Sequence, residues 1–61
     1  ATPEDIVLSK LEWAQRSESE RQIRDAASVL RTVGNGIDVG YLKKWAKELN
    51  VESLLDGILG E

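Results

Sequence analysis

Thr2-Pro3-Glu4-Asp5-Ile6-Val7-Leu8-Ser9-Lys10-Leu11-Glu12-Trp13-Ala14 is the stretch from which the fold can be read. Thr2 is placed to accept from the backbone N–H of Asp5, Pro3 suits the first helical position, and two carboxylates follow where the helix dipole is positive. These residues predict a helix that opens at Pro3 and runs to about Arg16. At about 100° per residue, Val7, Leu8, Leu11 and Ala14 make one apolar face. Ile6 and Trp13, seven residues apart, share a second stripe well outside it. A helix in a small domain buries one face, so the Ile6/Trp13 stripe is expected to meet another contact.

Reading outward, Ser17-Glu18-Ser19-Glu20 offers cap candidates at both serines, and Ser17 and Glu20 have capping-box spacing. A second helix is expected to follow without a long loop and to end near Val33, where Gly34-Asn35-Gly36 tolerates the positive φ of a turn. Ile23, Ala26, Ala27, Leu30 and Val33 mark its buried face, and the two alanines allow a helix to approach closely. Glu20/Arg24 and Arg21/Asp25 have the spacing of surface ion pairs.

Asp38 then caps a third helix, Val39 to about Leu49, with Tyr41, Leu42, Trp45, Ala46 and Leu49 inward and Lys43, Lys44 and Lys47 outward. Asn50 ends it in the left-handed conformation and Val51 packs back. Glu52 to Leu59 makes a last helix, weakened by Gly57 and closed by Gly60. With no β-alternating run and no internal repeat, the class is all-α: a small antiparallel bundle of three to four short helices. Residues 1–61 read as a single helical domain. Its expected core is Val7, Leu11, Ile23, Leu30, Leu42, Trp45, Leu49, Leu55 and Ile58.

Composition narrows the chemistry. A chain of 61 residues with 41% hydrophobic and 31% charged side chains is globular rather than disordered. Domains this small bury only about 60% of the surface of their unfolded chains and draw on disulfides, metals or partners. The sequence has no cysteine and no histidine, which leaves a partner. The same absence removes the thiol nucleophile, the commonest general base and the best transition-metal ligands, so no catalytic residue, cofactor or metal is expected. No apolar run reaches the ~20 residues needed to span a bilayer. With no secretory signal in view, a cytoplasmic location is the expectation. The first residue is alanine and there is no methionine, which fits either initiator removal or excision. The unpartnered stripe favours excision from a longer protein.

Charge is uneven. Residues 1–20 carry two cations and five anions, residues 21–47 six and two, and residues 48–61 none and four. The basic centre and its third-helix lysines allow a second reading, an independent helix-turn-helix-like nucleic-acid-binding module. Its exposed face offers lysines and Gly40 in place of residues that pair with base edges, and the acidic flanks repel phosphate, so nucleic acid is not the expected partner.

Pro3-Glu4-Asp5, then Lys10-Leu11, Arg21, Arg24-Asp25 and Val29-Leu30, followed by Tyr41-Leu42, Trp45-Ala46 and Leu49, resembles the helical C-terminal part of bacterial nucleotidyltransferase-fold proteins. Uncharacterised members and abortive-infection toxin-like relatives are among them. The resemblance implies an accessory part, because the family's glycine-serine turn, and the Asp-x-Asp that holds Mg²⁺ for nucleotidyl transfer, are missing here. It also implies a docking or cleft-facing role for Lys10, Arg24 and Asp25. Together these readings describe a non-catalytic accessory or interaction domain whose partner is the preceding domain of its parent or a second copy. In the latter case Ile6 and Trp13 form the contact of a homodimer.

Overall fold

The computed structural model describes residues 2–60 and contains four α-helices: α1 Pro3–Ser17, α2 Glu20–Val33, α3 Val39–Glu48 and α4 Glu52–Leu59, with a 3-10 turn at Gly34–Gly36. None is long and apolar enough to cross a membrane. Helix α1 starts as its sequence dictates, with Thr2 Oγ1 accepting from the Asp5 N–H at 3.2 Å. The Ser17/Glu20 capping box does not form. Ser17 belongs to α1 and its hydroxyl donates to the Trp13 carbonyl at 2.8 Å, a back-bond that the end of a helix offers a serine. Glu18 then takes the left-handed conformation (φ 54°), the Ser19 N–H reaches the Ala14 carbonyl, and α2 opens after Ser19.

The end of α3 is a Schellman motif with asparagine in glycine's usual place. Asn50 sits at φ 61°, its N–H donates to the Lys47 carbonyl, and the Val51 N–H donates to that of Ala46 at 2.8 Å. This corner carries Val51 back into the core, where it is 1% exposed.

The core is built from small contributions. Val7, Leu8 and Leu11 of α1, Ala26 of α2, Leu42 and Ala46 of α3, Val51, and Leu55 of α4 form one buried cluster. Leu30, Leu49 and Ile58 pack against it half-buried, and Ile23 is also half-buried. Trp45 departs from the sequence expectation: it is 41% exposed. The inward direction of α3 lies between Leu42 and Ala46, and at 100° per residue Trp45 is turned roughly 80° from it and Tyr41 roughly 120°. With Leu42 and Ala46 turned to the core, the two rings are left at the flank of α3.

Leu42→Ala should cost about 2–5 kcal/mol, the usual penalty for a fully enclosed leucine, and Leu30→Ala distinctly less because Leu30 is only half enclosed. Gly57 is exposed, and a Cβ there would meet nothing within 4 Å. Gly57→Ala should therefore raise the free energy of unfolding by about 0.5–1 kcal/mol. Urea denaturation of the three variants would show both effects, and equal losses at Leu42 and Leu30 would contradict this core.

Candidate functional site

The N-terminus of α1 does more than satisfy a dipole. Glu4 Oε2 accepts the backbone N–H of Asp38 at 2.8 Å, and Asp38 Oδ1 accepts the N–H of Tyr41 at 3.0 Å. In a capping box the first of these bonds comes from the residue three places into the same helix. That residue is Tyr41 here, and Glu4 supplies the carboxylate from another helix. The Tyr41 hydroxyl in turn donates to Asp5 Oδ1 at 2.8 Å. At the other end of α1, Gln15 Nε2 donates to the Asn50 carbonyl at 2.8 Å. Sequence spacing within single helices gives no sign of these bonds, since the partners are 34 to 36 residues apart.

Held in this way, α1 and α3 flank an open groove of about 490 Å³. Trp13 lines it from α1, Tyr41 and Trp45 line it from α3, and Leu8, Ser9, Leu49, Asp5, Glu12 and Arg16 complete the lining. All three aromatic residues of the chain therefore share one concavity, and each remains more than a third exposed. The Tyr41 and Trp45 rings lie 6.2 Å apart, tilted by 51°. Lys44 Nζ stands 5.9 Å from the Trp45 ring centroid, within the ~6 Å reach of a cation–π contact. Arg16 is paired with Glu12 at 3.6 Å, its side chain largely in solvent.

The residues singled out by sequence are only partly brought together. Lys10 Nζ lies 3.8 Å from Asp25 Oδ2, a half-exposed pair of the kind worth up to about 1 kcal/mol. Among the described residues no ion pair joins Arg21 to Asp25 or Glu20 to Arg24. Arg24 lies in a different groove, with Arg31, Leu30 and Ile58. Ile6 and Trp13 both face outward on α1, 38% and 60% exposed, yet they serve different concavities. Ile6 lines one with Pro3, Lys10, Asp25, Val29 and Val33; Trp13 lines the aromatic groove. The outward lysines Lys43, Lys44 and Lys47 are all exposed. Sequence reading missed the aromatic groove by turning Tyr41 and Trp45 inward, although their angular offset from Leu42 and Ala46 was there to be counted.

Among the described residues no group of three or more acidic side chains is placed to hold a metal ion. Comparison of the chain with protein-family models, curated proteins and solved structures finds no match.

Tyr41 is held above the ordinary tyrosine pKa, first by its hydrogen bond to Asp5, then by desolvation and by the charges of Asp5 and Glu4. A raised folded-state value means that the contribution of this bond is complete below the unfolded tyrosine's pKa of about 10 and is lost as pH climbs through the folded value. Phenolate absorbance reports this residue alone, because it is the only tyrosine. The titration midpoint should lie above about 10 and fall toward it in Asp5→Asn; a midpoint that ignores Asp5→Asn would contradict the Tyr41–Asp5 hydrogen bond.

Proposed function

We propose that this chain is a non-catalytic helical accessory domain whose work is interaction. It packs through the outward side of α1 on a second copy of itself or on the preceding domain of a nucleotidyltransferase-like parent protein, in the cytoplasm. The observation that carries the reading is Trp13, 60% exposed. Removing a side chain of this kind from water is worth about 1.5–3 kcal/mol, against a total of about 5–15 kcal/mol for a whole domain. In so small a chain that is a large fraction to leave in solvent, and a covering partner recovers it.

Within this reading the helices form an antiparallel bundle. Lys10 paired with Asp25, and a groove shared by Pro3 and Ile6 with Val29, Thr32 and Val33, support it for α1 and α2, since position numbers rise along one helix as they fall along the other. Lys10 and Asp25 brace that pair, and their side chains remain accessible enough to face a neighbouring domain. The absence of His and Cys supports an accessory role, because the serines have no imidazole to activate them.

Sedimentation velocity of the full chain at high micromolar concentration should show a two-fold dimer, and Ile6→Glu combined with Trp13→Glu should yield a monomer of unchanged helicity. A chain that stays monomeric at millimolar concentration rules out self-association. Incubation with nucleoside triphosphates, Mg²⁺ and protein or RNA acceptors should give no turnover above buffer, and a rate abolished by Asp25→Ala would overturn the non-catalytic assignment.

A further inference from the structure

We infer that the groove between α1 and α3 is a binding site for a small organic cation bearing an alkylated ammonium group. Three features of the groove point to this chemistry. The first is its walls. Trp13, Tyr41 and Trp45 line a single concavity, and an aromatic face attracts a cation through its quadrupole, most strongly for tryptophan. Tyr41 and Trp45, their ring centroids 6.2 Å apart and tilted by 51°, line it from α3, and Trp13 lines it from the other helix.

The second feature is charge. Asp5 and Glu12 lie in the lining against one guanidinium, Arg16, whose side chain is 74% exposed. Asp5 holds the Tyr41 hydroxyl and Glu12 pairs with Arg16, so what the lining offers is a surplus of negative charge, which a cation complements and an apolar occupant does not. The protein already uses one of these rings in this way, with the Lys44 ammonium 5.9 Å from the centre of Trp45.

The third is preparation. The Tyr41 ring is fixed before any ligand arrives, its hydroxyl bonded to Asp5 and its N–H to Asp38, so little order is lost on binding. At about 490 Å³ the groove falls within the roughly 300–1,000 Å³ range of small-molecule sites. N-methylated ammonium groups suit it better than a bare ammonium, because their charge is spread over a weakly hydrated surface that leaves water easily.

The test uses the whole chain at low micromolar concentration and constant ionic strength, with tryptophan fluorescence and side-chain NMR shifts as readouts. Choline and tetramethylammonium should bind saturably, with shifts centred on the indoles of Trp13 and Trp45 and the ring of Tyr41. The uncharged choline isostere 3,3-dimethylbutan-1-ol should bind far more weakly. Trp45→Ala should weaken choline roughly 3- to 30-fold, and Glu12→Gln, which leaves every aromatic in place, should weaken it measurably. Circular dichroism of each variant separates lost binding from lost fold. Ile6→Glu should leave choline binding unchanged, so a chain that fails to dimerise and a groove that fails to bind remain distinct results. Equal binding of the neutral isostere, no saturation by either cation, or binding only by a trimethyl-lysine peptide would each overturn the inference.

Discussion

Everything in this domain depends on how closely α2 and α3 can approach the inner face of α1, and α4 in turn approach α2 and α3. The enclosed cluster is short of bulk: beside Val7, Leu8 and Leu11 it takes one alanine from α2, a leucine and an alanine from α3, Val51 and one leucine from α4. Packing at interior density requires small side chains wherever backbones come near, and Ala26 and Ala46, both 0% exposed, are those positions. A larger residue at either would lever a helix away, and a chain of this length has no second core to absorb the loss.

The rotation of α3 explains the exposed aromatics. With the seam of α3 made by Leu42 and Ala46, Tyr41 and Trp45 flank the contact and cannot enter it. Polar bonds then hold what apolar contact alone holds weakly. Glu4 on the Asp38 N–H and Asp5 on the Tyr41 hydroxyl fix one end of α1 to the start of α3, and Gln15 on the Asn50 carbonyl fixes the other end to the corner after α3. Each spans more than thirty residues of sequence, and together they hold α1 and α3 on either side of the groove that Trp13 and the two α3 rings line.

Two concavities beside α1 therefore have different characters. The one toward α2 is apolar with a single ion pair across it, Lys10 to Asp25, which suits packing against a protein surface. The one toward α3 combines aromatic faces with carboxylates, a combination whose attraction is for positive charge. Ile6 and Trp13 share a side of α1 and are divided between these surfaces, so a partner that covers Trp13 competes with a cation for the groove toward α3.

The sequence by itself determined the all-helical class, the order of the helices and several of their caps. Thr2 and Asp38 as N-caps, Asn50 and Gly60 in left-handed conformation, and the inward Val7, Leu11, Leu42 and Leu55 all follow from local propensity and helical period, because each is decided within one turn of chain. The reading failed where two local solutions compete, as at Ser17, whose hydroxyl can cap α2 or bond back into α1. It failed again where helical period alone cannot say how wide a buried face is, as at Trp45. Only the tertiary structure decided the rest: that Lys10 meets Asp25 while Arg24 faces elsewhere, that Glu4 caps a helix 34 residues away, and that three aromatics gather in one groove. These depend on the distance and rotation between helices, which are set by the summed packing of Ala26, Ala46 and their neighbours rather than by any residue's own preference.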